Sequence, residues 1–304
     1  MEKKLIVRIA EGLGNQLFMY ANAYSISKLI NYKLFIDDES GFLKTNKFRS
    51  YYLDNFNISA DIINDHLKFN NFRRNLKRKI LKKTEFVRSK KIFILEKKYN
   101  NKITKYEKIV HQLLNDTVYI EGHFESEKYF LKYKNDLINE FKFKNQPDLS
   151  KNYYYNIIKK NTDNVISLCV RTNRFSERQG NQFDHYSKNK SNLFVKETID
   201  YIYRAINFLK DKIKNPIYLI WSNDFSNLKE HFPYENFIFV DNKIDKIITD
   251  FSLLYKCKNF IVGPTSFHWW GAWLNNDPNK ICIRPSDLNP SKNKDFWPTN
   301  WIEI

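Results

Sequence analysis

Residues 261–274 read Ile-Val-Gly-Pro-Thr-Ser-Phe-His-Trp-Trp-Gly-Ala-Trp-Leu, the order expected of a strand end, a turn and a helix. Thr265 or Ser266 is placed to cap the helix N-terminus. Such a terminus leaves backbone N–H groups unpaired and carries a partial positive charge, so it can bind an anion. Taken alone, the stretch favours a buried strand–turn–helix whose three tryptophans belong to the core. Whether an anion also binds there has to be decided from the rest of the chain.

The composition predicts an ordered and strongly basic protein. Hydrophobic residues make up 42% of the 304 residues and aromatic residues 16%, enough for a substantial core in one or two domains. The formal net charge of +17 indicates an anionic partner: a nucleic acid, a membrane surface or a phosphorylated ligand. The three cysteines are scattered and show no zinc-site spacing, so we expect a reducing compartment.

No stretch of the sequence predicts a signal peptide or a membrane-spanning helix. The apolar run near the N-terminus is interrupted at Arg8, which is too early for a signal sequence. We therefore expect a cytoplasmic protein whose contact with the inner membrane is at most peripheral.

The chain alternates between short apolar strands and helices. Its beginning predicts a strand at 4–10, a helix at 17–30 and a strand at 33–37, with Gly12 and Gly14 in the first turn. The glycine pair lacks the third glycine of a dinucleotide-binding loop, which disfavours a dehydrogenase. This βαβ opening indicates a parallel sheet.

The second half of the chain repeats the alternation. Strands are predicted at 165–171, 217–222, 237–240, 259–262 and 280–283, and helices at about 194–212, 224–231, 245–257 and 266–274. A mostly polar run at 144–151 is the best linker candidate. We predict two doubly wound α/β domains, residues 1–150 and 151–304, with a ligand in the cleft between them.

Residues 68–98 form a basic belt, in which thirteen lysines and arginines stand against two glutamates. Leu76, Ile80 and Leu81 interleave with these charges at helical spacing, so part of the belt could be an amphipathic helix. The belt lies in a predicted insertion at about 66–108. Two interpretations stay open: a solvated, poorly ordered insertion, and a patch for an anionic membrane surface. No nucleic-acid-binding motif accompanies the charge, so we expect no nucleic acid partner.

Arginines follow the first strand of the second half. Arg171 ends that strand, where open α/β sheets place their ligand groups. Its guanidinium suits bidentate binding of a phosphate. Arg174 and Arg178, on the following loop, either add donors to the same anion or are surface arginines. Arg171 is the stronger candidate because of its position at the strand end.

Polar residues also follow two other predicted strands. Residues 222–224 suit recognition of a ribose or base, and they could equally cap the next helix. Residues 265–267 form the helix N-terminus and suit a diphosphate. The candidate nucleotide-binding residues are Arg171, Arg174, Ser222, Asn223, Asp224, Thr265, Ser266 and Phe267. No Asp-x-Asp occurs, so we expect arginine and the helix dipole, with no metal, to neutralise the diphosphate.

The histidines show no spacing typical of a metal site, and no Gly-x-Ser-x-Gly hydrolase motif is present. His123 and His268 lie beside motif glycines or hydroxyl residues, and His185 lies on the loop after Arg178. Each could lie near a ligand, although a lone histidine is more often structural.

Four segments of the chain match one known family in order and spacing, and they leave only the basic belt unmatched. They are Glu11-Gly-Leu-Gly-Asn-Gln-Leu-Phe-Met-Tyr-Ala21, Tyr119-Ile-Glu-Gly-His-Phe-Glu-Ser-Glu-Lys-Tyr-Phe130, Ile220-Trp-Ser-Asn-Asp224, and the run from Asp250 to Leu274 that ends with the opening stretch. In these segments the chain resembles the bacterial α-1,2-fucosyltransferases of glycosyltransferase family 11.

The resemblance implies a GT-B-like enzyme of two Rossmann-like domains, with GDP-fucose in the C-terminal half and the acceptor in the N-terminal half. It implies an inverting, metal-independent transfer of L-fucose to the 2-hydroxyl of a galactose-type sugar, without a cofactor. The acceptor would be a galactoside or a lipid-linked oligosaccharide of a surface polysaccharide such as an O-antigen. The candidate acceptor-side residues are Gly12, Gly14, Asn15, Gln16, His123, Asp184 and His185.

One departure from the family pattern affects the expected donor. The family's His-x-Arg-Arg-x-Asp falls on Cys169-Val-Arg-Thr-Asn-Arg174, so only Arg171 stays in place. The resemblance implies that Arg171 binds the β-phosphate and that Arg174 supplies a second guanidinium from a shifted position. The change leaves open GDP-colitose or another GDP-deoxysugar. A degenerate, non-catalytic protein that binds a GDP-sugar or a membrane surface is a further alternative.

Inversion needs at most one base near the acceptor hydroxyl. Glu11 is the first candidate because it lies at the end of the first strand, facing the predicted cleft. Asp184, His185 and Glu177, on the loop after Arg171, are the alternatives. Glu11 could instead be a carboxylate that binds the neighbouring loop.

Overall fold

The computed structural model describes residues 2–43, 49–97, 105–108, 113–176, 185–289 and 293–304. The chain divides into two compact units. Unit 1 comprises Met1–Asn145 and Ser291–Pro298, and unit 2 comprises Gln146–Pro290 and Thr299–Ile304. The boundary between the units lies after residue 145, whereas the sequence predicted it after residue 150. In addition, a short C-terminal segment belongs to unit 1.

Unit 1 is built on a parallel sheet of five strands in the order β3-β2-β1-β5-β4. The strands are β1 (Lys4–Arg8), β2 (Lys33–Asp37), β3 (Asp61–Ile62), β4 (Lys91–Leu95) and β5 (Leu114–Glu121). Its helices are α1 (Leu13–Ile30), α2 (Phe72–Lys83) and α3 (Lys134–Glu140). Leu5, Ile6 and Val7 of the central strand are buried, as expected for a parallel strand covered on both faces.

Helix α1 begins earlier than predicted. The sequence placed residues 11–16 in a turn, whereas the helix starts at Leu13, with Gly12 as its N-cap. The backbone N–H groups of Asn15 and Gln16 already donate to Gly12 O, at 3.0 and 3.1 Å. The small or amide side chains of this turn do not exclude helical geometry, so most of the predicted loop is the first turn of the helix.

The basic belt is not a single disordered insertion within the described residues. Residues 72–83 form α2, and Lys91–Leu95 form β4, an edge strand of the unit 1 sheet. The helical prediction for part of the belt is therefore confirmed. The prediction that residues 66–108 are wholly an insertion is wrong, because β4 pairs in parallel with β5 and completes the sheet.

Unit 2 is built on a second parallel sheet, in the order β11-β10-β9-β6-β7-β8. The strands are β6 (Val165–Val170), β7 (Ile217–Ser222), β8 (Phe237–Phe239), β9 (Asn259–Ile261), β10 (Cys282–Arg284) and β11 (Ile302–Glu303). The helices are α4 (Tyr153–Lys160), α5 (His185–Leu209), α6 (Lys246–Leu254) and α7 (Ser266–Leu274). Each unit is thus an α/β sandwich on a parallel sheet, as predicted.

One predicted helix of unit 2 is wrong. Residues 224–231 form no α-helix, only a 3₁₀ turn at Lys229–His231. The Asp224 carboxylate accepts hydrogen bonds from the N–H and the hydroxyl of Ser226, at 3.0 and 2.8 Å. Such local side-chain bonds compete with the helical backbone pattern, which accounts for the loop.

Helix α7 matches its predicted bounds and lies in the core of unit 2. Trp269, Trp270 and Trp273 are buried and in ring contact with one another. The expectation that these tryptophans anchor the helix in the core is confirmed. No helix in the described parts of the chain is both long and apolar enough to cross a bilayer.

Candidate functional site

Three strand ends of unit 2 meet at the carboxyl edge of its sheet. Strand β6 lies between β9 and β7, so the residues after these strands become neighbours. The Thr172 N–H, directly after Arg171, donates to Asn223 Oδ1 at 3.0 Å. On the other side, Cys169 Sγ lies 3.8 Å from Thr265 Oγ1. The structure therefore brings together the predicted residues that follow β6, β7 and β9.

The N-terminus of α7 opens at this edge. Thr265 is the N-cap, and its hydroxyl accepts the N–H of His268 at 3.2 Å. Ser266 is the first helical residue, and the side chains of Ser266 and Phe267 are partly exposed. Of the two predicted caps, Thr265 is therefore confirmed and Ser266 is not. The positive end of the helix lies beside the end of β6.

A glycine permits the close contact between β6 and this turn. A Cβ atom on Gly263 would lie 2.1 Å from Cys169 O, closer than real Cβ contacts allow. Only glycine lets the two backbones approach in this way. The turn that carries Thr265 is therefore held directly against the strand that carries Arg171.

His268 is a structural residue that holds the same turn against β6. Its side chain is fully buried, its Nδ1 accepts the Gly263 N–H at 2.8 Å, and its Nε2 lies 3.1 Å from Ser167 Oγ. Burial lowers the pKa of His268 to about 3. The imidazole is therefore neutral near pH 7, and its hydrogen bonds fix the position of the turn.

Cys169, which stands where the family that the chain resembles has a histidine, is a neutral thiol. Burial, with a smaller contribution from the charge of Asp250, raises its pKa to about 11. A protonated, buried thiol is neither a base nor a nucleophile near pH 7. Its role in this edge is to pack against Thr265.

Arg174 is placed differently from Arg171. Its guanidinium lies over two aromatic rings, 5.8 Å from the centroid of Phe175 and 5.2 Å from that of Phe194. Arg171 follows β6 directly at the carboxyl edge and is partly buried. His185 begins α5 and is exposed. Arg178, Glu177 and Asp184 lie outside the described residues.

Asp250 is a buried carboxylate near this edge that sequence reasoning did not single out. Asn242 Nδ2 donates to its Oδ1 at 2.6 Å, and Lys246 Nζ lies 3.8 Å from its Oδ2. Burial raises the pKa of Asp250 to about 6, against the effects of both partners. In the sequence, Asp250 is marked only by its position at the start of the family-like run 250–274. Burial of a single acid on a short helix produces no recognisable sequence pattern.

In unit 1, the loop after β1 is held by two side chains. Glu11 has a left-handed backbone (φ 69°), and its carboxylate forms an ion pair with Arg49. Gln16 is buried; its Nε2 donates to Glu11 O and Ser50 O, at 2.9 and 2.8 Å. Gln16 is thus a loop-holding residue. A base role for Glu11 requires the ion pair with Arg49 to open.

Gly12, Gly14 and Asn15 belong to the same part of unit 1. Nothing lies within 4 Å of the position that a Cβ atom on Gly12 would take. Gly14 is buried inside the first turn of α1, and Asn15 is partly exposed. Gly12 therefore leaves open space beside its backbone.

The carboxyl end of β4 holds an acid that the sequence prediction missed. The Glu96 carboxylate accepts the backbone N–H groups of His123 and Phe124, at 2.9 and 3.0 Å, while the His123 side chain is exposed. Burial raises the pKa of Glu96 above its ordinary value. A carboxylate with a raised pKa is a better proton acceptor than an ordinary one. Sequence reasoning counted Glu96 only as a charge of the belt.

A cavity of about 420 Å³ in unit 1 lies away from these groups. It is lined by the start of β5, at Asn115 and Thr117, and by Arg74 and Lys77 of α2. Open parallel sheets bind their ligands at the carboxyl ends of the strands. This cavity lies at the amino end of β5 and is not part of the candidate site. Within the described ranges, no group of three His, Cys, Asp or Glu could hold a metal.

Two curated proteins of Escherichia coli are similar to the chain over nearly their whole lengths. The chain is 26% identical over 309 residues to an alpha-1,2-colitosyltransferase, covering 99% of this chain and 98% of that protein. It is 26% identical over 318 residues to the O-antigen biosynthesis glycosyltransferase WbnK, covering 97% and 99%.

The fold is also that of solved glycosyltransferases. The fucosyltransferase NodZ from Bradyrhizobium matches with a TM-score of 0.50 and 14% identity, covering 89% of this chain and 92% of that chain. A second structure, NodZ alpha-1,6-fucosyltransferase soaked with GDP-fucose, matches with a TM-score of 0.50 and 12% identity, covering 90% and 93%. At this identity the likeness shows the fold alone, and it confirms the GT-B-like class predicted for two Rossmann-like units.

The family assignment rests on the whole chain rather than on single motifs. The sequence model of the family described as glycosyl transferase family 11 matches residues 2–304. That match includes the basic belt, which the motif comparison left unassigned. This chain therefore belongs to glycosyltransferase family 11.

Proposed function

We propose that this protein transfers L-fucose from GDP-fucose to the 2-hydroxyl of a galactose-type sugar, with inversion and without a metal or cofactor. The acceptor is a galactoside or a lipid-linked oligosaccharide of a surface polysaccharide. Family membership and the similarity to an alpha-1,2-colitosyltransferase support sugar transfer, and the similarity to an O-antigen biosynthesis glycosyltransferase supports a role in polysaccharide synthesis. The observation that carries the proposal is the meeting of Arg171, the α7 N-terminus and the β7 strand end at one sheet edge.

These groups suit the parts of a nucleotide sugar. Residues 222–224 would bind the nucleoside, while Arg171 and the N–H groups at Ser266 and Phe267 would bind the diphosphate. The acceptor oxygen attacks C1 of the sugar, the bond from C1 to the β-phosphate oxygen breaks, and GDP leaves with the bonding electrons. Arg171 and the helix N-terminus then stabilise the negative charge that develops on GDP.

The proton of the acceptor hydroxyl passes to a general base. We keep Glu11 as the first candidate, with Asp184, His185 and Glu177 as the alternatives from the sequence. Glu96 joins them, since its carboxylate has a raised pKa and is fixed by two backbone N–H groups.

GDP-colitose is the second candidate donor. It is favoured by the similarity to an alpha-1,2-colitosyltransferase and by the loss of the family's histidine at Cys169. Colitose and fucose are both deoxysugars, so the same diphosphate groups would serve either donor. Selection between the two donors would therefore depend on the residues that contact the sugar ring.

The experiment is a transfer assay with each GDP-sugar, a β-galactoside and EDTA. We expect GDP release and a product whose linkage by NMR is α-1,2, with a clear preference for one donor. Absence of product with either donor would contradict the proposal. If GDP still raised the melting temperature in that case, the non-catalytic GDP-sugar-binding alternative would replace it.

A further inference from the structure

Helix α2 is attached to unit 1 through its polar face. None of its residues is buried. Arg78 donates to both oxygens of the Glu121 carboxylate, at 2.6 and 2.8 Å, and Lys82 Nζ lies 2.7 Å from the same carboxylate. One turn earlier, Arg74 donates to Asp65 O at 2.6 Å. Arg74, Arg78 and Lys82 follow at intervals of four residues and therefore share one side of the helix.

This attachment is a partly buried ion-pair cluster. Burial alone would raise the pKa of Glu121, but the hydrogen bonds and charges of Arg78 and Lys82 outweigh it, so the pKa lies below its ordinary value. The carboxylate is therefore charged near pH 7, and it fixes which side of α2 faces the protein.

The opposite side of α2 exposes large apolar side chains. Phe72, Leu76 and Ile80 also follow at intervals of four residues and are 83%, 49% and 54% exposed. Phe86 and Val87, in the 3₁₀ turn that follows the helix, are exposed as well. A surface helix normally turns its apolar side to the core. In α2 the apolar line, about 12 Å long at the helical rise per residue, faces outward.

Cations border this apolar line on both sides. Arg73 and Lys77 lie along one side of it, and Lys79 and Lys83 along the other, as helical spacing dictates. All four are exposed. An apolar line between cations is the pattern of helices that lie in the interface of an anionic bilayer.

We propose that α2, together with Phe86 and Val87, docks on a bilayer surface that contains anionic phospholipid. Phe72, Leu76 and Ile80 enter between the headgroups, while the neighbouring cations bind lipid phosphates. A second copy of the chain would bring one basic surface against another, at a net charge of +17 each. A nucleic acid offers phosphates, and a base could stack on Phe72, but it offers no apolar surface for Leu76 and Ile80. A lipid surface matches both the charge and the apolar line.

The experiment is co-sedimentation of the full chain with vesicles of phosphatidylcholine alone or of an equimolar mixture with phosphatidylglycerol. We expect binding to the mixed vesicles that falls by at least about tenfold at high salt. Replacing the apolar line, Phe72→Gln with Leu76→Gln and Ile80→Gln, should weaken binding by at least about tenfold. The matched control replaces Leu131, Leu193 and Ile244, which are exposed elsewhere, and should bind as the wild type does.

A second variant tests the charges separately. Replacing Arg73, Lys77, Lys79 and Lys83 with glutamine should weaken binding by at least about tenfold. The control removes the same charge from exposed lysines of unit 2. These are Lys196, Lys210, Lys214 and Lys229. We expect at most about a twofold effect, since these lysines lie outside the docking surface.

Circular dichroism must first show that every variant is folded, which is expected because the replaced side chains are exposed. The proposal fails if the α2 variants bind like their controls, or if the vesicles bind equally well without anionic lipid. It also fails if sedimentation reveals a dimer that the apolar variant abolishes, or if RNA displaces the protein from vesicles. Vesicle binding of the apolar variant and of the charge variant is measured without reference to transferase activity.

Discussion

Arg171 is the residue on which the proposed chemistry depends most. It follows β6 at the carboxyl edge, beside the N-terminus of α7. We expect Arg171→Ala to lower sugar transfer by about a hundredfold or more, because charge on the leaving diphosphate would lose its guanidinium. The measurement is kcat/KM for GDP release with the preferred donor, compared at matched thermal stability.

Arg174→Ala is the matched control for that variant. Its guanidinium packs over Phe175 and Phe194, so its loss should reduce stability more than the rate of transfer. Equal activity of Arg171→Ala and the wild type would contradict the assigned role. A larger loss in Arg174→Ala would make Arg174 the main diphosphate ligand.

His268 should make unit 2 sensitive to acid. Its pKa is about 3 in the folded protein, against an ordinary value of 6.5. Below pH 6.5 the unfolded chain binds a proton that the folded chain does not. This contribution to stability is therefore complete above pH 6.5 and is lost progressively as the pH falls toward 3. Between pH 7 and 5 the loss should be about 2 kcal/mol.

Urea unfolding followed by tryptophan fluorescence at pH 7 and pH 5 measures this effect, because three tryptophans lie in α7. His268→Gln should be less stable at pH 7 but should lose less stability on acidification than the wild type. His66→Gln, at an exposed position, is the control. The same pH dependence in His268→Gln and the wild type would show that another group is responsible.

For single residues, the sequence predicted local roles such as helix capping better than it predicted long-range contacts and burial. Thr265 was identified as a cap because its side chain acts on its own helix, within three residues. The ring contacts of Arg174, the Glu11–Arg49 pair and the burial of Asp250 depend on residues distant in sequence. No local pattern encodes such contacts, so the roles assigned to individual residues had to await the structure.

At the scale of elements, Gly263 fixes the distance between β6 and the turn before α7. Gly263→Ala would force Cys169 O and the turn apart, since the new Cβ would lie 2.1 Å from that oxygen. We expect a loss of about 1 to 3 kcal/mol in stability and weaker binding of GDP. Thermal melts with and without GDP measure both.

Gly12→Ala is the matched control for stability. A Cβ there meets no atom within 4 Å, and its φ of −80° is allowed for alanine. Its melting temperature should equal or slightly exceed that of the wild type. A Gly263→Ala protein as stable as Gly12→Ala would show that the turn can move away from β6.

The strands were the most predictable elements. Parallel strands covered on both faces are continuous apolar runs, as in β1 and β6, and such runs stand out in a basic sequence. The predicted helix at 224–231 failed because Asp224 and Ser226 bond locally. Strands β3 and β11 escaped prediction because two residues are too few for a recognisable pattern. Strand β4 also escaped prediction, because its short apolar run lies inside the basic belt.

At the scale of the whole molecule, the last residues of the chain are shared between the two units. Phe296 is fully buried in unit 1, where its ring centroid lies 6.1 Å from that of Phe18. We expect Phe296→Ala to destabilise unit 1 by about 3 to 5 kcal/mol, as for other buried phenylalanines. Phe86→Ala, at an exposed position, should leave the melting temperature unchanged.

The measurement is thermal unfolding by circular dichroism. Buried Asn293 also belongs to unit 1, where its Nδ2 donates to Glu125 O at 2.9 Å. A fragment of residues 1–150, the domain predicted from the sequence, should likewise be less stable than unit 1 of the full chain, because it lacks Phe296 and Asn293. If Phe296→Ala melted like the wild type, residues 293–298 would not be an essential part of unit 1.

In a single sequence, a domain boundary can be recognised from local composition only where the linker is more polar than the domains it joins. The run at 144–151 was found in this way, close to the observed change of unit at residue 145. The return of residues 291–298 to unit 1 depends on long-range packing, which a linear reading does not record.

The charged attachment of α2 also has a consequence for how the protein unfolds. Since no residue of α2 is buried, its detachment would expose little apolar surface and change the heat capacity very little. Its amide hydrogens should exchange with solvent before those of the buried strands, as in a separately opening segment. Because the pKa of Glu121 is depressed, this attachment is complete at neutral pH and is lost in acid as that carboxylate takes up a proton. The helix is thus a part of the molecule that can loosen while the two sheets stay intact.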